Sequence, residues 1–202
     1  ILDHYFSNHI TLRLGTRGKA LSGFAGKTPK LEILDNFHLN NKINRILTSY
    51  IFKCTEFIFA EHSDLHQNKT TGWHRDTLDF LSKDRGNGCL KDLWSAHFHV
   101  VKVCFLLQDH DSNCHGMSFK LGTHLTEDID APSFYANTKS TDMIIFDQRI
   151  LHSGQTSEKS YFDQFGKNRY LITYAYGLDN NLTRTHMKGA NFRQKRQQLS
   201  YS

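Results

Sequence analysis

Short apolar runs separated by turn signals recur along the chain from residue 54 onward. The clearest is Phe98–Gln108, which is Val-rich and nearly continuous in apolar residues, and it is joined by Cys54–Ala60, Asp142–His152 and Tyr170–Tyr176. Runs of this length, rich in β-branched and aromatic residues, are typical of strands. Several short strands with turns between them and little late helix favour a mainly β protein, a sandwich or jelly roll.

The length of 202 residues suits one domain with a substantial core. Within residues 1–202 we expect a helical or mixed N-terminal support over 1–53, a β core over 54–179 and a basic tail over 180–202. The segment Asn36–Tyr50 places apolar residues at near-helical spacing, which predicts a helix there. We expect such N-terminal helices to pack outside the β core.

The net charge of +5 has much of its excess near the C-terminus, at Arg184, Lys188, Arg193, Lys195 and Arg196. Such a run is typical of a solvated face, so we interpret it as a solvated basic tail. No interleaved aromatic platform of the kind used by single-strand binders accompanies it. We therefore do not expect nucleic acid as a partner.

The cysteines are Cys54, Cys89, Cys104 and Cys114, and they contain no Cys-x-x-Cys pair or zinc-finger spacing. No apolar run approaches the roughly 18–20 residues needed to cross a bilayer. The chain opens without the basic-then-apolar start of a signal peptide. These features predict a cytoplasmic protein without a membrane span, and they leave its oligomeric state open.

Two His-x-Asp pairs occur, His74-Arg75-Asp76 and His62-Ser63-Asp64. With 13 His in the chain, roughly one such pair is expected by chance. On an extended segment, side chains two positions apart point to the same side, so either pair has suitable geometry. His74 follows a Thr-Thr-Gly turn signal and the aromatic Trp73, whereas His62 lies in a polar stretch. This context favours the His74 pair.

A distant histidine, His152, completes a candidate ligand set with His74 and Asp76. Two imidazoles and one carboxylate form the facial triad that suits Fe(II) and leaves three coordination positions open. Each histidine taken alone is more often a hydrogen-bonded core residue. The joint pattern nevertheless favours a metal site.

Four segments resemble a known family in both content and order. They are Trp73-His74-Arg75-Asp76, Phe105-Leu106-Leu107-Gln108-Asp109-His110, Leu121-Gly122-Thr123-His124 and the run from Asp142 to Gly154. They resemble the phytanoyl-CoA dioxygenase family over roughly residues 74–177, about half the chain. The resemblance implies a double-stranded β-helix (a cupin-like jelly roll), Fe(II), 2-oxoglutarate and O2 as cofactors, and hydroxylation of a small-molecule substrate with release of succinate and CO2.

Within that resemblance, Arg169 is the candidate to bind the distal carboxylate of 2-oxoglutarate, because a planar guanidinium can hold a carboxylate through two hydrogen bonds. Arg149 is the competitor, but strand alternation points it away from the face of His152. Phe105 occupies a position where the family often places an apolar or aromatic residue against the cosubstrate. His97 and His99 share the face of Phe105, either as substrate contacts or at a solvated strand end.

Alternative functions stay open at this stage. A cupin-like enzyme could use the same ligands with another metal, since Zn, Ni and Co also bind such sites. A non-catalytic binding protein on a jelly-roll scaffold is also compatible with the fold. In related halogenases a small residue replaces the carboxylate, so the presence of Asp76 favours hydroxylation or desaturation over halogenation.

Overall fold

The computed structural model consists mainly of two antiparallel β-sheets, which confirms the predicted jelly-roll class. It describes residues 19–22, 40–83, 86–110, 116–126, 129–154 and 165–199. Most of the expected N-terminal support, residues 1–18 and 23–39, lies outside the described residues. Within the described ranges, no helix combines the length and apolarity needed to cross a membrane.

The larger sheet has five strands in the order β1-β2-β9-β4-β7, and every neighbouring pair is antiparallel. Its strands are β1 (Lys19–Ser22), β2 (Phe57–Gln67), β4 (Val100–Leu106), β7 (Ile144–Asp147) and β9 (Tyr170–Leu178). The predicted strand at Cys54–Ala60 is therefore the beginning of a longer one. β2 continues through the polar stretch to Gln67, with register shifts that mark bulges.

The smaller sheet has four strands in the order β3-β8-β5-β6. They are β3 (Thr71–His74), β5 (Met117–Lys120), β6 (Ser133–Ala136) and β8 (Leu151–Gly154). Apolar side chains of this sheet meet those of the larger sheet in a shared cluster that includes Met117, Phe119, Cys104 and Leu106. The two sheets therefore face each other across one core.

Strand β4, which has a neighbour on each side in the larger sheet, has two buried faces. Val101 and Val103 point outward, away from the smaller sheet, into a cluster with Ile43 and Leu47. Those two residues belong to α1 (Asn41–Ile46) and to the π-helical turn that continues it over Leu47–Phe52. Within the described residues, the expected helical support is thus present and packs on the outer face of the sheet.

The predicted single strand Asp142–His152 is wrong, because a tight turn divides it into β7 and β8. The amide of Ile150 donates to the carbonyl of Asp147 at 2.9 Å, and the amide of Arg149 donates to Asp147 Oδ1 at 2.8 Å. The turn lets the chain leave the larger sheet at β7 and enter the smaller sheet at β8. It therefore delivers His152 to the second sheet.

The basic segment is a packed helix rather than a tail, although Arg184, Lys188, Lys195 and Arg196 are exposed as expected. The last described segment is a helix, Asn181–Leu199 (α4), with Thr183, His186 and Ala190 fully or almost fully buried. The helix packs so closely on α2 (Leu78–Leu81) that a Cβ at Gly189 would lie 1.7 Å from the carbonyl oxygen of Asp79. One short helix, α3 (Leu90–Leu93), completes the described elements.

Candidate metal centre

A cavity of about 390 Å³ opens between the two sheets. The larger sheet contributes residues from β2, β4, β7 and β9, the smaller sheet from β3, β5 and β8, and the helices α2 and α4 contribute at the side. The polar and charged lining residues are Asp64, His66, Lys69, Thr71, His74, Arg75, Asp76, Asp79, Lys102, His152, Arg169, Thr173 and Arg193.

Strand pairing brings the two predicted histidine ligands together. β3 runs antiparallel to β8 with His74 opposite His152, and the two imidazole centroids are 4.3 Å apart. Asp76 follows directly after β3, where its amide donates to the carbonyl of Gln148 at 3.1 Å. The turn before β8 therefore helps to hold the carboxylate beside both rings.

The donor atoms of His74, Asp76 and His152 all lie within 4.8 Å of one another. Nε2 of His74 is 3.6 Å from Asp76 Oδ1, and Nε2 of His152 is 3.6 Å from Asp76 Oδ2. Donors that share one ion at about 2.1 Å lie roughly 3–4 Å from each other. The three side chains thus fit the ligand set of one small divalent ion.

Backbone carbonyls orient both rings. His74 Nδ1 is 2.7 Å from the carbonyl oxygen of Gly72, and His152 Nδ1 is 3.0 Å from that of Ile150. A carbonyl can only accept, so each Nδ1 carries the proton and donates it. The lone pair is then left on Nε2, the nitrogen that faces the carboxylate, which is the arrangement used by metal-bound histidines.

The charges of the three side chains also suit a metal. Burial lowers the pKa of His152 to about 4, so its imidazole is neutral near pH 7. Burial alone would raise the pKa of Asp76, but Lys102 and the two imidazoles outweigh it and hold that pKa well below its usual value. Burial opposes protonation of His74, but the Asp76 carboxylate outweighs it and raises the His74 pKa. The centre thus offers a carboxylate and at least one neutral imidazole.

The structure places Arg169 in the wall of the same cavity and Arg149 outside it. Arg169 is 2 % exposed, and its Nη1 donates to the carbonyl of Lys69 at 2.8 Å. Arg149 instead binds Asp147 through Nε at 2.9 Å and Nη2 at 2.7 Å. The competitor is thus committed to an ion pair away from the cavity.

Phe105 does not reach the cavity. It lies on the outer face of β4 with Val101 and Val103, and its ring packs edge-on against Tyr174 with centroids 6.3 Å apart. His99 packs against Phe52 near the same outer face, with centroids 5.0 Å apart. Because strand side chains alternate, residues with the parity of Phe105 point away from the triad. Phe105 is therefore not part of the site proposed below.

The opposite face of β4 carries a residue that the sequence prediction missed. Lys102 lines the cavity, and its Nζ donates to Asp76 Oδ2 at 2.9 Å. A signal was present, because a single lysine between Val101 and Val103 in a central strand is a charged residue where burial is expected. His66, Thr173 and Arg193 also line the cavity and were not singled out as site residues.

The second His-x-Asp segment has a different role in the described structure. Asp64 also reaches the cavity, but Arg193 Nη1 donates to its Oδ2 at 3.2 Å and Gln194 Nε2 donates to its Oδ1 at 3.3 Å. Arg193 also binds Asp79 through Nε at 2.8 Å. Across the part of the chain that the structure describes, the triad is the one cluster of potential metal ligands.

Solved structures with the same fold include several non-haem enzymes. SnoN, an α-ketoglutarate-dependent epimerase from nogalamycin biosynthesis, has a TM-score of 0.63 at 12% identity, covering 86% of this chain and 68% of SnoN. HygX from Streptomyces hygroscopicus, solved with nickel and 2-oxoglutarate, has a TM-score of 0.62 at 12% identity, covering 88% of this chain and 77% of HygX. The non-haem monooxygenase ThoJ, solved as a nickel complex, has a TM-score of 0.52 at 12% identity, covering 85% of this chain and 77% of ThoJ.

These similarities establish a shared fold. They establish nothing about function, because the sequence identities are only about 12%. No protein-family model and no curated protein sequence matches the chain. The resemblance to the phytanoyl-CoA dioxygenase family therefore stays a prediction.

Proposed function

We propose that this chain is a non-haem Fe(II)- and 2-oxoglutarate-dependent dioxygenase that hydroxylates a small molecule. The observation that carries the proposal is the convergence of His74, Asp76 and His152, with both Nε2 lone pairs directed toward the carboxylate. The shared fold with SnoN and HygX supports it. Membership of the phytanoyl-CoA dioxygenase family is the more specific form of this proposal.

The donor set fits iron. Two imidazole nitrogens and one carboxylate oxygen are the ligands of non-haem Fe(II) oxygenases, and they leave positions for other ligands. When bound, iron with 2-oxoglutarate and O2 supplies the oxidising chemistry, with succinate and CO2 as by-products. His74 and His152 would hold the ion through Nε2, and Asp76 through one oxygen. The half-buried setting of the triad limits access of water to it.

The cavity also fits a dicarboxylate cosubstrate. Its described lining holds five cationic side chains (Lys69, Arg75, Lys102, Arg169, Arg193) against three carboxylates (Asp64, Asp76, Asp79). The described lining thus has an excess of positive charge, to which a bound Fe(II) would add, and this favours an anionic cosubstrate. We assign Arg169 to the distal carboxylate, because a buried guanidinium binds that group strongly.

Hydroxylation is the reaction we favour because Asp76 keeps the carboxylate ligand. The structural neighbours include an epimerase and a monooxygenase, so the same fold supports more than one oxidative outcome. We infer a small molecule as substrate, as in the HygX structure solved with hygromycin B. The cavity volume of about 390 Å³ lies in the range of small-molecule sites.

The test is anaerobic addition of Fe(II) and 2-oxoglutarate, followed by exposure to air. We expect a weak visible charge-transfer band and then succinate formation, both absent in Asp76→Ala. Asp142→Ala, at an exposed loop position, is the matched control and should behave as the wild type. Wild-type protein that shows neither the band nor succinate would contradict the proposal.

A further inference from the structure

We propose that Lys102 is a positioning residue of the metal centre. It holds one oxygen of Asp76, so that the carboxylate binds the ion through the other oxygen alone, and its positive charge limits how tightly the centre holds a divalent ion. This inference rests on the function proposed above.

The position of Lys102 in the sheet supports this role. β4 is flanked on both sides, with Lys102 opposite Phe146 of β7 and Ala175 of β9. Strand alternation directs Lys102 and Cys104 into the cavity, and the Lys102 side chain is only 12 % exposed. Burying an ammonium group in a central strand is costly unless a charged partner compensates it. Asp76, at 2.9 Å, is such a partner.

The contact has a consequence for coordination. A carboxylate can bind a metal through one oxygen or through both. If Asp76 bound through both oxygens, the three side chains would fill four of the six coordination positions of the ion and leave two. 2-Oxoglutarate needs two positions and O2 needs a third. Oδ2 accepts from Lys102 and also lies 3.6 Å from Nε2 of His152, whereas Oδ1 lies 3.6 Å from Nε2 of His74. The ammonium group therefore competes with an ion for Oδ2 and leaves Oδ1 to it. Lys102 therefore keeps three positions available.

The contact also has an electrostatic consequence. An ammonium group bonded to the ligand carboxylate lies close to the position that the ion would take, and like charges repel more strongly inside a protein than in water. Replacing Lys102 by an uncharged side chain should tighten binding of a divalent ion while impairing turnover. A purely structural lysine would give the opposite result, because its loss would weaken both.

The experiment compares Lys102→Met, Lys102→Arg and the wild type, with Lys91→Met as the control at an exposed position on α3. Each protein is titrated with Co(II) alone, and its visible absorption is recorded. We expect Lys102→Met to bind Co(II) about tenfold more tightly. We expect its kcat for succinate formation to fall at least about tenfold, with Lys102→Arg near the wild type in Co(II) affinity and Lys91→Met unchanged.

A second measurement needs no variant. X-ray absorption of the wild-type Co(II) protein should show a carboxylate bound through one oxygen, and a carboxylate bound through both would overturn the proposal. Weaker Co(II) binding by Lys102→Met would also overturn it. If Lys102→Met bound Co(II) and the wild type did not, the ammonium group would be occupying the place of the ion. That result would contradict both the role proposed for Lys102 and the oxygenase function. If the wild type binds Co(II) as expected but forms no succinate, only the oxygenase proposal fails.

Discussion

The segments His62-Ser63-Asp64 and His74-Arg75-Asp76 have the same spacing, and each sends its aspartate to the same cavity. The partners of the two carboxylates differ. Asp64 is held by Arg193 and Gln194 from the C-terminal helix. Asp76 lies between two imidazoles and a lysine.

His-x-Asp spacing alone therefore does not make a metal site. An arginine beside a carboxylate already neutralises it and occupies its oxygens, which leaves little for a metal ion. Two imidazoles whose Nδ1 atoms are held by backbone carbonyls do the reverse, because each can offer Nε2 as a donor to a metal ion. What lies across from each aspartate therefore decides its role.

The largest expected difference is between Asp76→Ala and Asp64→Asn. Removing a ligand should lower metal affinity by at least about 100-fold. Asp64→Asn should leave metal affinity unchanged. It should lower the free energy of unfolding by about 1–3 kcal/mol, because a charged hydrogen bond to Arg193 is lost. The loss is limited because Arg193 keeps Asp79 as a partner. Calorimetric titration with Co(II) and urea unfolding separate the two effects. A loss of metal binding in Asp64→Asn would show that Asp64 also holds the ion.

Arg193→Met removes the partner rather than the carboxylate. It leaves Asp64 and Asp79 as two buried acidic side chains, 7 % and 12 % exposed, without their shared cation. We expect the free energy of unfolding to fall by about 3 kcal/mol. Arg196→Met, on the exposed side of the same helix, is the control and should change stability little. Equal stability of the two variants would show that this ion pair contributes nothing to holding the helix.

Arg169→Ala tests the cosubstrate side of the cavity. Loss of a charged hydrogen bond should raise the KM for 2-oxoglutarate by about 10- to 100-fold. Arg169→Lys should recover part of that loss, because it keeps the charge without the planar fork. The Co(II) affinity of both variants should match that of the wild type. An unchanged KM in Arg169→Ala would remove Arg169 from the proposed site.

His66→Gln gives the smallest expected effect, a change in the pH dependence of stability. Burial and the nearby Lys69 and Lys102 lower the pKa of His66 well below its usual value. In the unfolded chain this histidine takes up a proton below about pH 6.5, so stability is lost as the pH falls through that value, at up to about 1.4 kcal/mol per pH unit. The variant should lose less stability between pH 7 and about 5.5 in urea unfolding, whereas His97→Gln, at an exposed position, should follow the wild type. Parallel curves for wild type and His66→Gln would contradict the assignment.

The sequence was sufficient for the parts of the fold that depend on local pattern. The Val-rich run of β4 and the apolar run of β9 were identified because their composition is typical of strands. The turn that separates β7 from β8 was missed, because the apolar run continues through Ile150 and Leu151. The C-terminal helix was not predicted as a packed element because its charged residues are as numerous as its apolar ones, five of each, and only the packing against α2 shows how it is held.

In the candidate site, too, the features that depend on local sequence were predicted and those that depend on packing were not. His74, Asp76 and His152 were predicted from motif and order, and the structure brings them together. The isolated lysine between Val101 and Val103 was a signal in the sequence, but its partner Asp76, 26 residues earlier in the chain, is known only from the structure. Phe105 was predicted from family position on the face shared with His97 and His99, but the sequence does not say which face of β4 meets the cavity, and that face lies against the outer core.

The most direct measurement is a crystal structure of the protein with Ni(II), located by its anomalous signal. We expect one ion within about 2.3 Å of Nε2 of His74, Nε2 of His152 and a single oxygen of Asp76. An ion held elsewhere, or the Lys102 ammonium group in that position with no ion bound, would contradict it.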